Sequence, residues 1–473
     1  MYTFYFREGS KVNQILCAIL INLPAFGYGM SMGWMSPMTL LLQSKDSPKD
    51  IPISDGVVSW MAGAAYLTCV PTNFGMAYLG DRLGRKITLM LTSCIGALIW
   101  ILLLCSLEVW ALILARVLVG IIMSGCYVIC TVYTKEISED SIRGALGCMV
   151  SLFITTGNLS LYIIGDMLNY PTILWICLAV PLCHLVLFTF MPDSPSYWVK
   201  KGDVKEAAKV LAWLRNRRED DIVINQEIGR IIEEQEVKID KKFLLKNILT
   251  DKTLSTAFTI AIVVIVARDV CGAVAVLNFA GEIFTQASSG RKLLLNANQQ
   301  AMMVGAVQVT GSMLASSVVE RAGRKPLLVI TSIFGGLTMC MLATWFLIQD
   351  YGIIAPAWIP VTTLCLAIFS DSSGLKPIAL VLANEIFSFE YRGTVMAVVV
   401  SIASLADFLQ LLFFKPLAKL IGIYMGFYFF GAVCLFTAVY VFVVVPETKS
   451  RTLDQIYEDL NPKSKKKEAD WVG

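Results

Sequence analysis

Apolar residues along this chain gather in long runs separated by short polar stretches. Twelve runs reach the length that crosses a hydrocarbon core, about 20 residues in a helix. They are Val12–Met32, Val57–Tyr78, Ile87–Ser106, Val109–Val132, Ala145–Ile164, Pro171–Met191, Thr253–Phe279, Ala297–Val319, Pro326–Leu347, Ile354–Ala383, Thr394–Leu417 and Ile421–Val445. Runs so long and so uniformly apolar predict helices, because a helix meets its backbone hydrogen-bonding needs within one segment. One long polar stretch, Asp193–Asp251, divides six runs from six. Within it Val204–Arg215 and Asn225–Val237 place apolar residues three to four apart, which predicts short amphipathic helices at the membrane surface. The expected organisation is a six-helix half over 1–192, linker helices over 193–251, a second six-helix half over 252–445 and a tail over 446–473.

The polar loops between the runs repeat. Gly80–Lys86 reads GDRLGRK and Val319–Lys325 reads VERAGRK. A Glu-Ile pair is followed by Arg-Gly at the same distance in both halves, from Glu136 to Arg143 and from Glu385 to Arg392. Duplicated charged loops between long apolar runs imply two homologous membrane halves, an architecture that moves solutes. The charges suit one side of a bilayer. Arg82, Arg85, Lys86, Lys135, Arg143, Arg321, Arg324, Lys325 and the lysines at 463, 465, 466 and 467 fall in alternate loops or the tail, so both termini are expected in the cytoplasm. Arg291 and Lys292, and Lys415 and Lys419, run against this pattern.

Composition agrees and narrows the classes. Hydrophobic residues make up 56% and charged residues 16%, and the mean hydropathy is +0.67, whereas a soluble domain carries about a quarter charged residues. A net charge of +3 gives no basis for nucleic-acid binding. The 13 cysteines have neither metal-like nor disulfide-like spacing and suit helix packing. There is no phosphate-cradling GxxxxGK[ST] loop, no nucleophile–base pair and no metal cluster in the sequence. The expectation is a non-enzymatic membrane protein without cofactor or metal, its partners the lipid bilayer and a small solute, its oligomeric state taken as monomeric.

GDRLGRK, VYTKEISEDSIRGALG (Val132–Gly147), MPDSPSYW (Met191–Trp198) and VPETKSRTLDQI (Val445–Ile456) resemble the signatures of the sugar porter family of the major facilitator superfamily. The overall flavour of the chain resembles the insect trehalose and hexose carriers of that family. The resemblance implies an all-α fold of twelve transmembrane helices in two pseudo-symmetric halves, working by alternating access at the plasma membrane. On this reading Asp81, Glu136, Glu320 and Glu385 meet Arg82, Arg116, Arg143, Arg321 and Arg392 at the cytoplasmic helix ends, and the ion pairs latch the two halves. Glycines at 63, 84, 120 and 157 serve close helix approach or tight turns.

The family's sugar contacts carry over poorly. With Gly272 as anchor, the amide pair of span seven falls on Arg268 and Asp269, and its asparagine on Val274. The span-five glutamine falls on Ser151 and the span-ten tryptophan on Leu380. Span eleven has neither the family's asparagine nor its tryptophan. An amide persists at Gln308 in span eight, and Asn278 is a further intramembrane amide. Charges stand where amides are missing: Arg268, Asp269, Asp371, Lys376 and Asp407 all lie in predicted spans. A charge near mid-membrane costs ~2.5–3.5 kcal/mol on insertion scales, so such residues face a cavity or pair together. Asp269 against Lys376, or Arg268 against Asp371, are the expected pairs. The candidate solute site is therefore Ser151, Arg268, Asp269, Asn278, Gln308 and Lys376.

Proton-coupled members carry an acid in span one after Phe-Gly-Tyr. Here Gly29 follows Phe26-Gly27-Tyr28, and Val12–Met32 contains no Asp or Glu, which implies uniport. His184, the one histidine, reads as packed core. The expected function is facilitative transport of a sugar such as trehalose or a hexose. Two alternatives stay open: a carrier of another polar or charged solute, and a non-transporting nutrient sensor.

Overall fold

A computed structural model describes residues 9–44, 47, 52–139, 141–236, 248–287, 296–353, 355–356, 358–387, 389–449, 451 and 453–460; side chains at 234–236, 297, 316–321, 389–390, 392–394 and 454 are outside the description. The described residues of each of the twelve apolar runs fall mainly on helix, and the described residues contain no strand. Among the described residues ten segments are long and apolar enough to cross a membrane by length and composition, and the helices Asp55–Leu83 and Ala297–Ala322 lie on the two remaining apolar runs. The predicted linker helices are present as Val204–Arg215 and Ile222–Glu236. They follow a short helix, Pro195–Lys201.

The chain divides into two compact units, Met1–Trp34 with Leu67–Ile239 and Met35–Tyr66 with Asp240–Gly473. In the first unit, span one (Val12–Gly33) packs along span five (Arg143–Met167) and span six (Tyr170–Phe188), while span three (Arg85–Cys105) packs on spans four (Val109–Ile137) and six. The linker is held by local capping and one buried charge. Ser194 and Asp203 cap the first two linker helices by accepting from Tyr197 and Glu206 backbone N–H groups. Leu211, Ile224 and Ile228 form a small apolar core between the second and third. Arg215, 3% exposed, donates to Glu227 at 2.6 Å and to the Ile137 carbonyl at 2.8 Å. The linker thus closes on the end of span four.

In the second unit, span nine (Arg324–Asp350) lies along span twelve (Ile423–Val444), with Gly336 and Gly431 facing each other's carbonyls. Span seven (Lys252–Ala287) is interrupted after Asp269 and bent again at Phe279. The interruption needs Gly272: its φ is +93°, and the Phe430 ring occupies the place of a Cβ. The short helix Met35–Gln43 packs on the second part of span seven, where Ser36 Oγ accepts from Gly281 N–H at 2.9 Å. Interrupted backbone within a membrane is tolerated where protein or a water-filled cavity surrounds it.

Candidate functional site

The duplicated motifs build the same local structure twice. In the first unit Arg85 opens span three and forms a two-pronged pair with Glu136, Nε to Oε2 at 3.1 Å and Nη2 to Oε1 at 2.9 Å. Ser194 Oγ donates to the same carboxylate. Asp193 accepts from the backbone N–H groups of Arg85 (3.1 Å), Lys86 (3.2 Å) and Ser194 (2.7 Å). In the second unit Arg324 opens span nine and pairs with Glu385, Nη2 to Oε1 at 2.9 Å, while Thr448 Oγ1 donates to Glu385 at 2.5 Å. Glu447 accepts from the N–H groups of Arg324 (3.0 Å), Lys325 (3.1 Å), Thr448 (3.0 Å) and Lys449 (2.9 Å).

The physics is that of a helix N-terminus, whose free N–H groups and positive dipole end hold an anion. The residue before each arginine must be glycine. Gly84 (φ +95°) and Gly323 (φ +86°) take a backbone form closed to other residues, and a Cβ there would strike Asp193 or Glu447. Burial pushes the Asp193 carboxyl up, against its backbone donors; at Glu447 burial acts in the same direction, but four backbone donors outweigh it and the carboxyl lies low.

The repetition extends into the membrane. Span four contains a π-helical turn over Gly125–Cys130, and span ten (Ile359–Glu385) contains one over Asp371–Leu375. Gly125 lies against Thr92 of span three, and Gly374 against Thr331 of span nine. Such turns shift the helical register and recur at functional sites.

The ion pairs differ from those expected at the sequence level. Glu136 and Glu385 pair with Arg85 and Arg324. Asp81 pairs with Arg85 (3.2 Å) and Lys200 (2.9 Å). Arg82 instead lies over the Tyr78 ring, 5.4 Å from its centroid, and Arg143 donates to the Ser138 carbonyl at 3.2 Å. Arg116 does not join the network. It stands two turns into span four, some twenty residues before Glu136 and so ~30 Å away along the helix. There it is 2% exposed and donates to the Ser31 carbonyl at 2.8 Å, near the C-terminal end of span one. Glu320, Arg321 and Arg392 lie outside the described side chains, as do Arg291 and Lys292. Both partners of each pair named here belong to the same unit, so each network ties together helix ends of its own unit.

Of the candidate solute residues, the second unit gathers three. Arg268 Nε donates to Asp269 Oδ1 at 2.6 Å, and Nη2 to the same oxygen. This neighbour pair is not one of the expected Asp269–Lys376 and Arg268–Asp371 pairs; Arg268 sits at the end of a helix that stops and can turn back on the next residue. Lys376 follows the π-turn and interacts electrostatically with Asp371 and Asp407, as do Arg268 and Asp269. Asn278 is buried, and its amide donates to the Val274 carbonyl of its own helix at 2.8 Å. Gln308 is buried in span eight. Ser151 lies half-buried in span five of the first unit. His184 is buried core, 2.7 Å from Ser93 Oγ and stacked on Phe188.

Comparison with known proteins settles the family. The model of the "Sugar (and other) transporter" family matches residues 16–460. This chain belongs to the sugar transporter family. It is a multi-pass membrane carrier and not an enzyme. Among its relatives, the facilitated trehalose transporter Tret1 of Culex quinquefasciatus is 25% identical over 94% of this chain and 85% of that protein. The Bombyx mori transporter of the same name is 25% identical over 96% and 88%. The inward-open xylose transporter XylE of E. coli shares the fold, with a TM-score of 0.77, 18% identity and coverage of 94% and 99%.

The carrier has a further charge cluster, built around two lysines that run against the loop-charge pattern. Lys415 and Lys419 stand near the end of span eleven (Phe389–Ile421), about 40 Å along the helix from its start at the motif end. Lys415, 4% exposed, contacts Glu282 at 2.5 Å and Asp55 at 3.3 Å. Lys419 also pairs with Asp55, and Gln43 donates to Asp55 at 2.8 Å. These lysines are answered by acids, which is why they do not follow the loop-charge rule. The hydrogen bond from Lys419 is the largest influence on Asp55 and, against the effect of burial, brings its carboxyl down to about 2. A depressed carboxylate stabilises the fold above its ordinary pKa of about 4 and loses that contribution as pH falls through the folded value. Acid titration of the purified carrier should therefore show a loss of stability between about pH 4 and 2 that Asp55→Asn removes. Matching curves for the two proteins would contradict this.

Proposed function

We propose that this carrier moves a sugar, such as trehalose or a hexose, down its gradient across the plasma membrane by alternating access. Its halves are residues 1–192 and 252–445, joined by linker helices over 193–251 and followed by a tail over 446–473, with both termini cytoplasmic. The observation that carries the mechanism is the twice-built set of glycine, arginine and two carboxylates: Gly84, Arg85, Glu136 and Asp193 in one half, and Gly323, Arg324, Glu385 and Glu447 in the other. Each set fixes several helix ends of its half, so that the half moves as a body, as rocking of one repeat against the other requires. The sugar assignment is supported by the family and by the named activity of the trehalose transporters. Uniport is supported by Gly29, in the place where coupled relatives carry an acid.

Proteoliposomes holding the purified chain test this reading. Radiolabelled trehalose and glucose should equilibrate without any ion gradient. Uptake of neither, or uptake only with an imposed proton or sodium gradient, rejects it. A second reading, carriage of a charged polar solute, is favoured by the charges at 268, 269, 371, 376 and 407, of which the three aspartates are buried and Arg268 and Lys376 half-buried.

A further inference from the structure

By sequence, residues 35–66 fall in the first half of the chain. By packing they belong to the second compact unit. They carry the short helix Met35–Gln43 and the start of span two, Asp55–Leu83. Asp55 lies in the first turn of span two, ~40 Å along the helix from the motif at its other end.

Within this unit the contact of span two with span eleven is first apolar and then charged. The Trp60 and Phe408 rings stand 6.0 Å apart, and the Phe408 ring takes the place of a Cβ on Gly63. About 12 Å nearer the start of span two, charges take over. Asp55 accepts from Lys415 at 3.3 Å, from Gln43 at 2.8 Å and from Lys419. Lys415 also pairs at 2.5 Å with Glu282 in the second part of span seven, and its Nζ lies 5.4 Å from the centroid of the Phe279 ring. Two ordinary explanations fall short. A carboxylate in the first turn of a helix meets its positive end, which accounts for an acid at 55 but not for two lysines that converge on it. Lysines near a membrane surface reach out to water or headgroups. Lys419 is 69% exposed, but Lys415 is buried and turned in on two acids and a ring.

The motif networks are built differently. Arg85, Glu136 and Asp193 all come from the first half of the sequence, and Arg324, Glu385 and Glu447 from the second. The cluster at Asp55 joins a residue of the first half to two spans of the second, at the end of those spans remote from the motifs. Rocking about a central site parts one side as it closes the other, so a bond that crosses from one half to the other is broken and remade in each cycle.

We propose that Asp55, Lys415, Lys419 and Glu282 form a charge latch at the exoplasmic face, which holds the outer side closed and makes the inward-facing state the resting state of the empty carrier. This inference rests on the carrier reading and adds where its conformational bias lies. Opening to the outside parts Asp55 from both lysines. Glu282 belongs to the second half with Lys415 and stays with it, so the buried lysine keeps a partner in both states. The latch can therefore open without leaving an unpaired buried charge, the costly outcome.

Hydrogen exchange of the full chain in lipid nanodiscs tests this without any substrate. Asp55→Asn keeps the shape and removes the charge. Its amides over 35–43 and 280–287 should exchange about tenfold faster than in the wild type, as outward opening gains that factor. Amides over 131–137 and 376–385, at the inner ends of spans four and ten, should exchange more slowly as the inner side closes. Asp55→Glu keeps the charge and should stay close to the wild type. Lys419→Met removes only the exposed pair and should give both shifts at about two- to threefold. It leaves the contacts of Lys415 in place, so it reads the latch even where Asp55→Asn fails to fold. Faster exchange at the outer segments with unchanged inner segments makes the cluster a local anchor and overturns the proposal. So does wild-type exchange at both ends in Asp55→Asn. Opposite shifts at the two ends, with no uptake of radiolabelled trehalose or glucose by any of these proteins, sink the sugar-carrier reading and leave the latch standing.

Discussion

Replacing Arg85 by alanine should remove ~3–5 kcal/mol of stability, the cost of taking one partner from a buried ion pair. The Arg85 side chain is 11% exposed and Glu136 15%, so among the described residues Glu136 would keep Ser194 as its side-chain donor in a poorly hydrated place. A fold of ordinary stability, ~5–15 kcal/mol, would lose a third or more. Three further variants separate charge from packing. Glu136→Gln keeps the shape and removes the charge, so it should cost nearly as much. The double exchange Arg85→Glu with Glu136→Arg should recover part of the loss, though the swapped groups meet the Asp193-capped helix end the wrong way round. Arg324→Ala should cost less than Arg85→Ala, because Glu385 is 30% exposed and water can replace the lost partner. Unfolding free energies of the detergent-solubilised variants decide the order. Equal losses at 85 and 324 would show that exposure does not set the value of these pairs.

What the sequence made legible follows from how far apart the interacting residues lie. Span positions came from local apolar runs, and the linker helix Val204–Arg215 from its own three-to-four spacing. Glu136 and Glu385 stood out because their surroundings repeat. Their partners did not, since GDRLGRK holds two arginines and only the helix phase chooses between them. Arg82 belongs to the end of span two and turns to Tyr78, while Arg85 begins span three and turns to Glu136. Asp193 and Glu447 were visible as motif letters, but their work is to accept backbone N–H groups more than a hundred residues away, and no pattern of side chains encodes that. Arg116 was misassigned because charge alone does not report depth along a helix. Lys415 violated the loop-charge pattern, and only the distant acids Asp55 and Glu282 explain it.

Gly29→Asp should abolish folded protein and should not create proton coupling. Position 29 is where the family resemblance places the acid of proton-coupled members, so on paper the change restores a missing part. The packing forbids it. A Cβ on Gly29 would fall on the Ile154 carbonyl of span five, and a Cβ on Gly157 would fall on the Phe26 carbonyl of span one. The two glycines let the two helices meet backbone to backbone, with a carbonyl of the opposite helix in the place of each missing side chain. Overpacking costs ~1–3 kcal/mol where side chains can yield, and a carbonyl fixed in a helix yields less. A carboxylate within the membrane adds ~2.5–3.5 kcal/mol. Gly27→Ala is the matched control, because its Cβ would meet only Val180 Cγ1 at 3.8 Å, an ordinary contact. The yield of monodisperse protein after solubilisation should fall to background for Gly29→Asp and Gly157→Leu and stay near wild type for Gly27→Ala. Recovery of well-folded Gly29→Asp protein would mean that spans one and five can separate. The acid's absence would then be a choice of mechanism, whereas the close helix contact makes it a condition of the fold.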